Sequence, residues 1–273
     1  MKKRINWRDV GTFKVIELTG VTPLPLDKTC DQLMTGNFDM EVTGIATTFM
    51  ATIEVIKEAI NQGINMIITH EPTWYTGHDE TSWLKDDPIY HQKLALIEKH
   101  NIAIWRFHDH MHMAKEDGIL RGVIKELQWQ DYVSPENKHC IQIPKMSVES
   151  LCEYLKEKLD IKMVRLVGKR KDVVERIGLF VGGFSLGFGT EQFPMEILRD
   201  EDLDVVICGD ILEWTICPYI RDAAELGMNK AMIVIGHERS EEAGMKHLVD
   251  WLKPSFKDTE IVFIDAKEPF DYL

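Results

Sequence analysis

Histidine and carboxylate residues stand in three short runs whose types and spacing suit metal binding: His70 with Glu71, His108 with His112, and His237 with Glu241. Each run follows a short apolar segment, NMIIT (65–69), IAIWRF (102–107) and AMIVIG (231–236) respectively. Segments of that kind read as strands. In open α/β sheets ligands gather outside the carboxyl ends of the strands, so three such ends can bring distant residues into one crevice. His108 and His112 are four residues apart, as are His237 and Glu241. On a helical turn that spacing puts both side chains on one face, with Cβ atoms about 5–6 Å apart. It is also the spacing of paired histidines on zinc-protease helices. Glu71 follows His70 directly, so the two side chains leave a strand end in different directions and can serve neighbouring ions.

The set holds four imidazoles and two carboxylates. One zinc takes four ligands, or three and a water, so six donors exceed the needs of one ion. They fit two divalent ions about 3.5–4 Å apart. A carboxylate can bridge through its two oxygens, which makes Glu241 or Glu71 the bridge. Zinc, iron and manganese all accept such donors. Ions of this kind lower the pKa of a bound water toward ~7, which points to hydrolysis. The expectation is a metal-dependent hydrolase acting on a small substrate. The alternative is a non-catalytic metal-binding module: a carrier, sensor or scaffold. A lone histidine at a strand end is more often a hydrogen-bonded structural residue; the joint pattern carries the ligand reading. Within HDHMH (108–112), His108 and His110 would share a face if the strand continued, leaving His112 outside. Asp109, His110 and Asp210 are the candidates for a general base. His78, His91, His100, His139 and His247 lack matching partners and are expected at the surface.

The elements that must position these residues alternate. Strand-like GIATT (44–48), NMIIT, IAIWRF, RIGLFVG (176–182), VVICG (205–209), AMIVIG and IVFIDA (261–266) are interleaved with helical patterns at 52–63, 88–100, 119–129, 148–159, 218–227 and 240–252. That alternation predicts an α/β fold with mixed or parallel sheets covered by helices. The polar stretch QDYVSPENKH (130–139) is the expected boundary. It gives a first lobe at 1–130 and 231–273 carrying the ligands, and a second at 131–230. The glycine-rich VGGFSLGFG (181–189) lacks the Lys-Ser/Thr of a phosphate loop and reads as a plain loop. CGD (208–210) lies at a strand end, where it can line the crevice or cap a helix. Trp74 and Tyr75 suit stacking on a ring or core packing equally.

Bulk properties narrow the class. With 44% hydrophobic and 28% charged residues among 273, a sizeable core is available. No apolar run reaches the ~20 residues that span a bilayer, and MKKRINWRDV has no apolar segment of a signal peptide, so a cytoplasmic protein without membrane contact is expected. A net charge of -13 disfavours nucleic acid as a partner and favours cations. The five scattered cysteines form no CxxC pair, which argues against a disulfide framework or a thiolate zinc site.

The same motifs resemble the NGG-interacting factor 3 family, whose members are also known as GTP cyclohydrolase type 2 homologues. INMIITHEP (64–72) is similar to that family's strand followed by His-His-Pro. FHDHMHM (107–113) occupies the place of its His-x-x-x-Asp motif, and VIGHERSEE (234–242) that of its late Gly-His-x-x-x-Glu motif. VGGFS (181–185) and VICGDILEW (206–214) resemble two segments of its second lobe. Glu71 stands where the family usually has a second histidine, and His112 where it usually has aspartate. One carboxylate is thereby moved from the middle motif to the first, with the donor count unchanged. The resemblance implies two interlinked α/β lobes, a dinuclear centre and a ring-shaped homohexamer.

Overall fold

Mostly apolar runs of four to eight residues form the inner strands of two separate mixed sheets in the computed structural model, which describes residues 5–6 and 13–273. The strands are β1 (Ile5–Asn6), β2 (Leu33–Thr35), β3 (Glu41–Val42), β4 (Gly44–Thr48), β5 (Met66–Thr69), β6 (Ala103–Arg106), β7 (Cys140–Ser147), β8 (Arg165–Val167), β9 (Val173–Phe180), β10 (Val205–Cys208), β11 (Ala231–Val234) and β12 (Glu260–Phe263). The helices are α1 (Phe13–Thr19), α2 (Ile53–Asn61), α3 (Pro88–Lys99), α4 (Asp109–Met113), α5 (Gly118–Glu126), α6 (Val148–Lys158), α7 (Phe193–Asp200), α8 (Ile216–Glu225) and α9 (His237–Leu252). Among the described residues, no helix is long and apolar enough to cross a membrane.

The chain divides into two compact units, Met1–Arg121 with Gly244–Lys267, and Gly122–Ala243 with Glu268–Leu273. In the first unit the sheet order is β12-β4-β5-β6-β2, parallel except for β2. Parallel strands are covered on both faces and so read as unbroken apolar runs; β4, β5 and β6 are buried along their whole length. The crossovers between them are helical. Thr52 caps α2 by accepting from Val55 N at 3.2 Å, and Asp87 caps α3 by accepting from Tyr90 N at 2.8 Å ahead of Pro88. Val55, Ile56 and Ile97 of these helices join Ala46, Ile67 and Ile104 of the strands in one core. Register matters for the site: Thr69 of β5 pairs with Arg106 of β6, so both strands deliver their next residues at one level.

In the second unit the order is β7-β9-β10-β11-β8, with β9, β10 and β11 parallel and the two edges antiparallel. Phe180, Val206, Cys208, Ile216, Ile220 and Met232 form its core. The sequence boundaries at 130/131 and 230/231 differ from this division. β11 pairs with both β10 and β8, which ties it into the second sheet, and His237 and Glu241 fall in the second unit. The edge strand β7 is absent from the sequence reading because Pro144 lies inside it. Proline is tolerated at an edge, and the pairing slips between Gln142 and Met146 around it.

A lysine side chain is buried in the first unit. Lys93 of α3 is 3% exposed, donates to Thr73 O at 2.7 Å and lies 5.3 and 5.1 Å from the ring centres of Trp74 and Tyr75. Burial pushes its pKa down to about 8, against the pull of Asp79. The folded state therefore binds this proton less well than the unfolded state, for which the pKa is 10.5. The penalty is fully present below about pH 8 and disappears as pH rises toward 10.5. Burying the ammonium costs at most about 3 kcal/mol, and the carbonyl orphaned by its removal returns about 1 kcal/mol of that. Lys93→Met is thus expected to stabilise the protein by about 1–2 kcal/mol at pH 7. Urea unfolding at pH 7 and pH 10.5 checks it, because the gain should vanish at the higher pH.

Candidate metal centre

Where β5 ends, His70 N and Glu71 N both donate to Phe49 O, at 3.1 and 2.9 Å. The backbone turns there, and one ligand atom of each side chain lies within 4.8 Å of the other. His70 is fully buried, and its Nδ1 lies 3.3 Å from Phe107 O. A carbonyl only accepts, so Nδ1 carries the hydrogen and the lone pair is at Nε2. The same logic holds for two further rings. His108 Nδ1 is 3.0 Å from Asp109 Oδ1, and His112 Nδ1 is 3.1 Å from Asp117 Oδ2. Three imidazoles thereby turn Nε2 to a common space, with ring centres 4.5–5.0 Å apart. One ligand atom from each lies within 4.8 Å of the others.

His70 Nε2 and His112 Nε2 are 3.2 Å apart. With both hydrogens committed to Nδ1, two lone pairs face each other across that gap, an arrangement that a cation between them relieves. Two nitrogens held at ~2.0–2.1 Å by one tetrahedral ion are about 3.3–3.4 Å apart, so the spacing matches a shared divalent ion. Glu71 closes the group: its Oε1 is 3.9 Å from His108 Nε2, and its Oε2 is 3.6 Å from Arg106 Nη2. The chemistry and spacing of these donors fit a metal.

Asp109 and His110 do other work. His110 is 1% exposed; its Nδ1 donates to Asp31 Oδ2 at 2.6 Å and its Nε2 accepts from Leu24 N at 2.9 Å. Both ring nitrogens are occupied, which removes His110 as a ligand or base. Asp109 orients His108 and accepts from Thr29 Oγ1 and Cys30 N, each at 2.9 Å. The bond to His108, followed by those to Cys30 and Thr29, holds its carboxyl well below the usual range despite partial burial. Carboxylates behind ligating histidines fix the tautomer and raise ligand basicity. Cys30 stays a thiol: burial above all, with Asp109 and Asp31 nearby, pushes its pKa up to about 12.

Asp31 has no counterpart in the sequence reading. One oxygen accepts from His108 N and Asp109 N at 2.7 and 2.8 Å, and the other from His110 N at 3.0 Å and His110 Nδ1. A distant side chain thus caps α4 and sets the pitch at which His108 and His112 project. Asp117 was also missed. It braces His112 through Oδ2 while Oδ1 accepts from Ile119 N and Leu120 N, both at 3.0 Å, at the start of α5. An aspartate followed by Gly118-Ile119-Leu120 was the available signal, as a helix cap.

The second unit holds the other predicted pair. His237 opens α9; its Nδ1 is 2.7 Å from Asp210 Oδ2 and its Nε2 is 3.1 Å from Glu241 Oε2. The i,i+4 spacing does place both on one helix face. Asp210 is the outer partner here, as Asp109 is for His108. The glycine-rich segments serve space rather than phosphate. A Cβ on Gly182, at φ +54°, would meet Glu241 Oε1 at 1.8 Å, and one on Gly209 would meet Gly182 O at 2.5 Å. Gly182 N also donates to Ser240 Oγ at 2.8 Å, while Ser240 Oγ donates to His237 O at 2.7 Å. Among the remaining histidines, His78, His91 and His100 are exposed, whereas His139 and His247 are half-buried. His139 is drawn in by Leu179 O at 3.2 Å and by the Phe184 ring.

A model of the Duf34/NIF3 (NGG1p interacting factor 3) family matches residues 19–269. The chain belongs to the Duf34/NIF3 family. Curated relatives are similar along most of its length. A Clostridium acetobutylicum protein called GTP cyclohydrolase 1 type 2 homolog is 28% identical over 247 residues, covering 84% of this chain and 86% of the relative. A Clostridium perfringens protein of the same name is 24% identical over 267 residues, covering 93% and 95%. In fold, the chain is similar to the crystal structure of a Bacillus cereus protein related to NIF3, with a TM-score of 0.77 at 15% identity over 99% of this chain and 100% of the other. A Duf34/NIF3 chain with residue groups able to hold metal is what sequence and structure establish together.

Proposed function

We propose that this Duf34/NIF3 chain is a dinuclear metal protein that hydrolyses a small, nucleotide-like substrate in the cytoplasm. The observation that carries the reading is the 3.2 Å approach of His70 Nε2 to His112 Nε2 while each Nδ1 is tied to an acceptor. In this proposal His70, Glu71, His108 and His112 supply one group of ligands, and His237 and Glu241 supply another. Divalent ions held by the set would supply Lewis acidity and a water of lowered pKa. Phe107 O, Asp109, Asp117 and Asp210 hold the four rings in the tautomer that presents Nε2. Asp210 is the one of the three base candidates with a half-exposed side chain, at 48%, and it can pass a proton between His237 and solvent. Zinc, iron and manganese all suit the donors. The ring-shaped homohexamer implied by the family likeness belongs to the same proposal and is read from the mass in solution.

Metal analysis of the purified chain after loading with zinc, iron(II) or manganese tests the reading, together with a panel of phosphomonoesters, phosphodiesters and nucleotide ring systems. Two ions per chain are expected, with turnover that is lost on chelation. His237→Ala and Glu241→Ala should each lower the stoichiometry and abolish turnover. A wild-type chain that takes up none of the three metals sinks the proposal. Two ions with no turnover across the panel would overturn the hydrolase half and leave a metal carrier or sensor.

A further inference from the structure

Glu71 has two oxygens, and three binding modes are open to a carboxylate: one oxygen on one ion, both on one ion, or one on each of two. Its neighbour Arg106 decides among them. Arg106 sits at the end of β6 opposite Thr69, 4% exposed, and its guanidinium is anchored on several sides. Nε donates to His70 O at 3.3 Å, and Nη1 donates to Gly77 O at 2.7 Å and to Asp79 Oδ2 at 3.2 Å. Asp79 is fixed in turn, because its Oδ1 accepts from Trp74 N at 2.7 Å. A guanidinium is a planar fork with donors at set angles. Anchored through Nε and Nη1, it cannot swing, so Nη2 is presented to Glu71 Oε2, 3.6 Å away, as a fixed positive charge.

We propose that Arg106 is a positioning residue that makes Glu71 a terminal ligand bound through one oxygen. The inference rests on the metal-site reading above. Arg106 holds Oε2 as an ion pair and leaves Oε1 turned to His108 Nε2 at 3.9 Å. A shift of about half an ångström brings Oε1 and His108 Nε2 to the ~3.3–3.4 Å that two ligands of one tetrahedral ion span, so the two would serve the same ion. Oε2 is withdrawn from the metals, and any carboxylate bridge falls to another ligand. The pairing offsets part of the charge of Glu71, because the one guanidinium is shared with Asp79.

Cobalt(II) is the probe, because its visible bands report coordination number and it titrates into the apo protein directly. Arg106→Gln keeps hydrogen-bond donors and removes the charge. Arg106→Lys keeps the charge and loses the fork. Each is expected to weaken one of two cobalt sites about 10–100-fold, the range for loss of an outer partner, and to dim the visible bands as Glu71 takes up the ion with both oxygens. The deciding measurement is the double variant. If Arg106 acts through Glu71, Arg106→Gln in a Glu71→Gln background loses nothing beyond Glu71→Gln alone. Additive losses there, or Arg106→Gln with wild-type affinity and spectrum, overturn the proposal. Should Arg106→Gln fail to fold by circular dichroism, the same cycle with Arg106→Lys decides it. A wild-type chain that takes up no cobalt overturns the site reading and this inference together, whereas cobalt uptake with additive losses overturns this inference alone.

Discussion

Replacing Asp31 with alanine is expected to cost this protein about 3–5 kcal/mol, the range for removing one partner of a buried charged network. The Asp31 side chain is fully buried and takes four hydrogens: three backbone N–H groups from His108 to His110, and the His110 ring. A helix leaves its first N–H groups without internal partners. α4 has only five residues, too few to persist if that end is left bare. Each bond to a charged acceptor is worth about 1.5–3 kcal/mol, and each buried donor left unpaired adds a penalty. The four are one unit and do not add, which sets the estimate below their sum. Asp31→Asn should recover little, because its amide NH2 faces donors rather than acceptors. Asp27→Ala, at an exposed position four residues earlier, serves as the control and should stay within about 0.5 kcal/mol. Urea unfolding of the metal-free protein is the measurement. A loss under about 1 kcal/mol would mean that α4 and its histidines are held by something other than Asp31.

The contrast between Asp31 and the ligands shows what the sequence displays and what it hides. Strands β5, β6, β10 and β11 are legible because inner parallel strands are buried on both faces, so nothing interrupts their apolar runs. The residue after such a run is at a strand end by construction, which is why His70, His108 and His237 could be placed. The grouping of His70 with His108 depends on register, Thr69 against Arg106, and a sequence does not print register between strands 37 residues apart. Asp31 acts across 77–79 positions, and no periodicity or motif announces a side chain that caps a helix from that distance. Arg106 was hidden for a related reason: inside IAIWRF it reads as a blemish in a strand, and its value appears only when Glu71, Gly77 and Asp79 surround it. Gly182 and Gly209 were visible as glycines but not as vacancies. The missing Cβ of Gly182 makes room for Glu241, and that of Gly209 for Ser240 and the Gly182 backbone, which is a property of packing. The lobe boundaries read from the sequence differ from the compact units because the hydrophobic pattern names strands without naming their partners, and β11 pairs with β10 and β8.

An effect of comparable size is expected at His70. His70→Ala should weaken zinc binding at its site by about two orders of magnitude or more. A structural zinc site with four ligands binds with about 10–16 kcal/mol, so one ligand carries about 3 kcal/mol, and each 1.4 kcal/mol is tenfold. The effect has a stability counterpart. A ligand that binds only the folded state raises stability by RT ln(1 + [L]/Kd), about 2.7 kcal/mol at a hundredfold excess over Kd. Zinc at a concentration saturating for wild type should therefore raise its melting temperature by several degrees. The same zinc should move His70→Ala far less, and excess chelator should bring wild type down to its metal-free value. The geometry makes a further demand that separates metal from proton. The 3.2 Å gap between His70 Nε2 and His112 Nε2 needs a positive charge between the two lone pairs. If a proton filled that role, zinc would not change the melting temperature and acid would raise it. If a metal fills it, zinc stabilises and acid opposes, because protons compete for the same lone pairs. Equal zinc-induced shifts in wild type and His70→Ala would place the ion elsewhere and remove His70 from the ligand set.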